Sequence, residues 1–214
     1  VKNPISRSQA LVTETGTEQR IEIENAAIKG SISTKGARFD DIVLQKYFET
    51  LEKENNVALL SPNLTKFPRY IEYGWVSNQQ NLLMPGKDTL WQAPADAKLT
   101  PETPLTLTWL SPQGLKFERT LHVDYKYMLT ITQKVTNNGK AEAALYPYGL
   151  ISQRGVPDDF SATWFAYQGP VGYIGDELHQ QSYKDMRKMT APISQTANQG
   201  WIGVGDKYWL TALV

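Results

Sequence analysis

The sequence predicts an all-β protein of stacked antiparallel sheets with little helix, and three observations carry that prediction. Apolar and polar residues alternate with a period of two through 105–109, 115–123 and 127–136. Short turn signals, Ser111-Pro112-Gln113-Gly114 and Asn137-Asn138-Gly139, join these runs, the second offering left-handed residues for a tight turn. Strand-like runs follow one another with no βαβ alternation, so each strand has one buried and one wet face and the sheets pack face to face.

Taken in order, residues 1–18 are polar with scattered Ser, Thr and Glu and read as a linker that offers nothing to a core. The folded domain is expected over 19–214. Arg20 to Asn25 alternates cleanly, and 27–33 repeats the pattern with Ile28 and Ile32 before Thr34-Lys35-Gly36, which predicts a paired set of strands. Phe39, Ile42, Val43 and Leu44 mark a third strand. The charged, glycine-free stretch 46–56 is compatible with a helical turn. Short strands follow at 57–60 and 70–76, the latter rich in aromatics. From 77 to 104 the pattern dissolves into a long loop, with 89–92 as an edge strand and Pro101 and Pro104 closing it. The three alternating runs come next, then an apolar run over 143–151. Beyond a turn at 155–159, short glycine-bounded strands are expected at 163–167 and 171–174. Residues 177–189 show no periodic face, and 201–204 and 208–214 supply the last strands.

Composition sets the outer limits. A chain of 214 residues with no shift in composition fits one all-β domain, since such domains run to about 200–250 residues. That size buries enough surface to need no disulfide, so the absence of cysteine leaves the redox compartment open. Lys plus Arg, at 22, equals Asp plus Glu, at 22, and no long basic run occurs. This argues against an electrostatic grip on nucleic acid or anionic lipid. No stretch reaches the roughly 20 apolar residues of a membrane-spanning helix. The sequence stops at Val214 inside an apolar run, which is expected of a piece of a longer polypeptide, truncated at its C-terminus.

Residues able to carry chemistry are few. His122 falls on the polar side of its alternation and reads as a solvated strand residue. His179, in Asp176-Glu177-Leu178-His179, reads as a loop histidine beside carboxylates. Two histidines and no cysteine leave a metal site to oxygen ligands, and neither Asp158-Asp159 nor Asp176-Glu177 has calcium-loop spacing. The glycines of 200–205 lack the following helix of a phosphate loop and mark close backbone approach instead. No Gly-x-Ser-x-Gly occurs. Asn63-Leu64-Thr65 fits a glycosylation sequon too short to be specific. The six tryptophans suit core packing first and a stacking cleft second. No catalytic, cofactor-binding or metal residue is assigned, and the partner-binding residues are left open.

Longer stretches carry a resemblance. Residues 105–120, the run Tyr127-Met128-Leu129-Thr130-Ile131-Thr132 with its continuation to Gly139, and Leu145-Tyr146-Pro147-Tyr148-Gly149-Leu150-Ile151-Ser152 resemble the first large periplasmic region of the YidC-type membrane protein insertases of Gram-negative bacteria. Ser33 to Gly36 with 41–44 fits as well, although Ala37 stands where many members carry a second glycine. Gln168 to Gly172, Ser182 to Asp185, and Gly200 to Gly203 with 206–212 follow in the same order, so the resemblance runs from about residue 19 to the end.

The resemblance implies a β-supersandwich related in shape to sugar mutarotases, set between a transmembrane helix and a five-helix inserting core that this sequence lacks. It implies an accessory, non-catalytic role without cofactor at the periplasmic face of the bacterial inner membrane. The implied partners are accessory subunits of the Sec translocon and nascent membrane proteins, with the membrane itself reached only through helices outside this sequence. The competing expectation is a carbohydrate-binding or mutarotase-like enzyme domain. That chemistry needs a histidine acid and a carboxylate base converging across one cleft.

Overall fold

The computed structural model describes residues 3–14, 19–156 and 167–214, and their regular structure is almost all β. The strand expected at 163–167, the turn at 157–159 and the pair Asp158-Asp159 lie outside the described residues, apart from Tyr167. The chain divides into two units, Val1–Ser152 and Gln153–Val214.

The first unit holds α1 (Arg7–Glu14) and the strands β1 (Arg20–Glu24), β2 (Ile28–Ser33), β3 (Arg38–Phe48), β4 (Asn56–Leu60), β5 (Arg69–Val76), β6 (Lys98–Leu99), β7 (Leu105–Leu110), β8 (Leu115–Val123), β9 (Leu129–Asn137) and β10 (Tyr146–Gln153). Seven of these strands form one sheet in the order β10-β5-β3-β2-β1-β6, with β4 also on β3. Strands β7-β8-β9 form the expected meander, Leu105 opposite Leu121 and Leu121 opposite Ile131. One short pairing, β1 with β6, is parallel.

The two sheets bury their alternating apolar faces against each other. Ile21 and Ile23 of β1, Ile32 of β2, Phe39 of β3, Leu107 of β7 and Phe117 of β8 are all essentially inaccessible. Trp75 on β5 meets Phe117 edge-on, ring centroids 5.0 Å apart, and Trp109 packs on the same ring at 5.6 Å. Strand β8 shows the period most clearly, with Leu115, Phe117, Leu121 and Val123 inside and Lys116, Glu118, Thr120 and His122 outside.

Several local expectations are corrected. Residues 46–56 form no helical turn, because β3 runs on to Phe48 and pairs it with Asn56 across a hairpin. Neither Asn138 nor Gly139 is left-handed; the left-handed residue at that end is Gly114, with φ of 90°, and Asn137 closes its own turn by accepting from the Gly139 amide. In the loop 77–104 the 89–92 stretch makes only single bridges, Lys35 to Leu90 and Gln92 to Thr108. The polar opening stretch read as a linker contributes α1, whose Ala10 is fully buried. Arg7 of that helix pairs with Asp41 of β3.

A β-bulge explains the two consecutive buried carboxylates. Ser31 opposes Asp41 and Ile32 opposes Phe39, so Asp40 is the extra residue of β3. Asp40 turns to Arg20, and Asp41 takes Arg7 and the Ser31 hydroxyl at 2.6 Å. Arg20 also donates to Ser31 through Nε at 2.8 Å, which joins the two ion pairs into one network. Burial raises the Asp40 carboxyl above its ordinary 3.8 despite the opposing pull of Arg20.

The second unit is a four-stranded sheet in the order β12-β11-β13-β14, from β11 (Gly169–Ile174), β12 (Glu177–Gln180), β13 (Gly200–Gly205) and β14 (Leu210–Leu213). A single-turn helix, α2 (Tyr183–Met186), follows β12 and is capped by the Ser182 hydroxyl, which accepts from the Asp185 amide at 3.1 Å. Both β12 and α2 fall where the sequence showed no periodic face.

Candidate functional site

The structure disperses the ionisable residues that could carry chemistry. His122 projects from the outer face of β8 opposite Thr130. His179, on β12, lies 3.9 Å from the largely exposed Glu177 carboxylate. No cluster of three or more His, Cys, Asp or Glu side chains able to hold a metal occurs among the described residues. On β5 the Glu72 carboxylate accepts from the Tyr148 hydroxyl at 3.0 Å and faces Arg38 at 3.4 Å, while the Arg38 guanidinium stacks 4.6 Å from the Tyr70 ring. This network joins side chains of neighbouring strands, with Arg38 Nε left without a hydrogen-bond partner.

One cation is placed where the alternation demands an apolar residue. Arg119 occupies the inward phase of β8, between Phe117 and Leu121, and is 1% exposed. Its guanidinium lies 4.8 Å from the Trp91 ring and 5.9 Å from Trp75, and donates to the carbonyls of Ala37 at 3.0 Å and Tyr73 at 2.6 Å and to Gln133 Oε1 at 3.2 Å. Nε has no hydrogen-bond partner. Burial lowers its pKa to about 10, against the weaker opposing pull of Tyr148, Glu72 and Tyr73. Arg119 thus ties β8 to the opposite sheet by carbonyl bonds and cation–π contact. Ala37, whose carbonyl it holds, is buried with φ of 48°, a left-handed value that favours glycine.

The second unit presents the more open surface. Its sheet is bounded by short strands, β12 on one side and β14 on the other. Glycine lets β13 close on the edge strand β14: a Cβ on Gly203 would stand 2.6 Å from the Thr211 carbonyl oxygen. No helix follows β13, as the sequence reading expected of this glycine run. Tyr183 and Val204 are the buried apolar side chains of this unit among the described residues, whereas Tyr173, Leu178, Ile202 and Leu210 are exposed. Tyr183 is anchored by its hydroxyl to Gln153 Nε2 at 2.7 Å, and the Tyr167 hydroxyl receives the Gln181 amide at 2.9 Å.

An open groove of about 380 Å³ lies along β13, lined by Ile174, Trp201, Ile202 and Leu213 together with the side-chain amides of Gln195 and Asn198. No charged residue lines it. Apolar walls with amide donors and acceptors suit a neutral polypeptide segment, whose backbone the amides can pair and whose side chains the walls can cover. Sequence reasoning missed the groove because residues 195–199 carry no periodic signal. It missed Arg119 although the phase of the alternation pointed inward at that position.

Comparison with known proteins adds a family. Residues 20–214 match the family described as YidC periplasmic domain. A membrane protein insertase YidC from Rickettsia bellii is 37% identical over 211 residues, covering 98% of this chain and 37% of that protein. One from Rickettsia akari is 38% identical over 205 residues, covering 95% and 36% respectively. One from Nitrobacter hamburgensis is 40% identical over 201 residues, covering 92% of this chain and 33% of that protein. The chain therefore spans little more than a third of the length of the curated relatives it matches.

Proposed function

The chain belongs to the YidC periplasmic-domain family, and from that premise we propose that it is a non-catalytic domain displayed at the periplasmic face of the bacterial inner membrane. There it assists insertion and folding of membrane proteins by contact or scaffolding. Its partners are nascent membrane proteins and accessory subunits of the Sec translocon. The observation that carries this reading is the uncharged groove along β13, with Ile202 exposed in its wall. Exposed apolar surface of this kind, bounded by short strands, suits groove docking or strand addition.

The test is retention of detergent-solubilised Sec accessory subunits, and separately of an apolar membrane-protein segment, on immobilised chain at moderate salt. Ile202→Asp places a charge in the groove and is expected to weaken retention by about tenfold, equivalent to ~1.4 kcal/mol. Retention of neither ligand by the unaltered chain contradicts the proposal. Trp201, Gln195 and Asn198 all line the groove and are residue types that bind saccharides by stacking and amide hydrogen bonds. Oligosaccharide binding that Trp201→Ala abolishes, with no polypeptide retained, would favour that second reading.

A further inference from the structure

One end of the first unit is a platform built from turns. Asn25, in the β1–β2 turn, donates through Nδ2 to the carbonyls of Asp124 at 2.6 Å and Lys126 at 3.0 Å, which fastens it to the β8–β9 turn. The Gln45 side chain donates to the Asn25 carbonyl, and its backbone amide to Ala27 at 2.8 Å, so the far end of β3 is held at the same place. Asn56 Nδ2 donates to the carbonyls of Leu44, Gln45 and Tyr47, which fixes the β3–β4 hairpin that projects beyond. Tyr127 and Tyr47 approach each other across the two turns.

What this well-fastened end shows to water is apolar. Leu51 is 95% exposed, Tyr125 69% and Met128 59%, and Tyr47, Phe48 and Tyr127 are exposed beside them. Lysines rim the cluster: Lys46 and Lys53 on one hairpin, with Lys53 Nζ 5.8 Å from the Phe48 ring, and Lys126 on the other. Across the two tips, 46–56 and 124–128, three lysines stand against four carboxylates, Glu49, Glu52, Glu54 and Asp124. The platform therefore carries no excess positive charge.

We propose that this end of the first unit rests on a phospholipid bilayer, with Tyr47, Phe48, Leu51, Tyr125, Tyr127 and Met128 entering its interfacial layer. Tyrosines with an apolar body and a polar tip, and lysines whose stems lie along apolar surface, are the side chains that partition to that layer. A protein interface favours arginine over lysine and anchors that fill pockets. Here the cationic rim is lysine alone, and the apolar groups sit on projecting turns. Attraction comes from apolar insertion and not from charge, so binding is weak for the free chain and rises when the domain is held close to a membrane. The contact is with lipid and is separate from the β13 groove, so it stands or falls independently of the polypeptide contacts proposed above.

The chain has no cysteine, so Leu51→Cys takes a single environment-sensitive dye. Lys140→Cys, at the opposite end of the β8–β9 pair, is the control. With protein-free vesicles of phosphatidylcholine and phosphatidylethanolamine, the dye at position 51 is expected to shift to the blue and brighten, and the dye at 140 to stay unchanged. Adding Tyr125→Glu and Met128→Glu to the Leu51→Cys chain is expected to abolish the shift, and partial replacement of the lipid by phosphatidylglycerol to reduce it. No shift at position 51, or an equal shift at both positions, overturns the proposal. So does a shift that appears only with vesicles carrying reconstituted membrane protein, which makes the platform a protein-docking surface.

Discussion

The two units solve the same problem, a β-sheet with apolar residues on it, in opposite ways. In the first, residues from both of its sheets interdigitate around Phe39, Trp75, Phe117 and Leu107, and even an arginine is drawn inside and held by carbonyls and indole faces. In the second, the backbone ladder is complete, but among the described residues only Tyr183 and Val204 are buried apolar side chains, the others being half-buried or exposed. Backbone pairing therefore fixes the shape of both units, while among the described residues burial is concentrated in the first. The first is a frame. The described part of the second has the sparse core expected of a part that opens locally and meets partners.

The sharpest way to break this contrast is truncation in the core. Phe117→Ala removes the ring on which Trp75 and Trp109 pack and is expected to destabilise the first unit by about 3–5 kcal/mol, read by denaturant unfolding. Ile202→Ala, on the exposed face of β13, is expected to change stability by less than about 0.5 kcal/mol. Equal effects of the two substitutions would erase the distinction.

Arg119→Ala comes next. It opens a cavity and leaves the Ala37 and Tyr73 carbonyls unpaired, at a cost of about 3 kcal/mol. Arg119→Lys is expected to recover only part of this, because an ammonium lacks the planar fork that reaches both carbonyls while stacking on Trp91.

Arg7→Ala is smaller. It unpairs Asp41, which keeps Ser31, and frees α1 from β3. Since Arg7 is partly exposed, a loss of about 1–2 kcal/mol is expected, with faster hydrogen exchange across α1 and no change in the second unit.

The smallest effect is on pH dependence. Burial raises the folded-state Asp40 carboxyl above 3.8, so between that value and its raised one the folded protein binds more protons than the unfolded. Stability contributed by this group is greatest below 3.8 and declines as pH rises through the raised value. Asp40→Asn is expected to flatten that slope in unfolding midpoints measured across the mildly acidic range.

The all-β class and the family were legible because they are written locally. The alternation of β8 and of Ile21-Glu22-Ile23 states which face is buried, and the turn Ser111 to Gly114 states where the meander folds back. What escaped the reading depends on contacts distant in sequence. An arginine inside a core makes sense only when the carbonyls of Ala37 and Tyr73 and the ring of Trp91 are seen around it. A helix as short as α1 buries Ala10 alone and shows no periodic stripe. Two adjacent aspartates look solvated until the bulge at Asp40 and the paired Arg20 and Arg7 are in view. The groove along β13 draws on a loop, 195–199, whose residues are polar and aperiodic.

Hydrogen exchange resolved to single strands puts the contrast between frame and contact surface to the most direct test. In the chain alone, the amides of β2 and β8 are expected to exchange only through global unfolding, and those of β11 and β13 through cheaper local opening. Adding an apolar membrane-protein segment is expected to slow exchange in β13 and leave β8 unchanged. If β13 is already as protected as β8 in the free chain, and the segment changes neither, the second unit is no contact surface and the account is wrong.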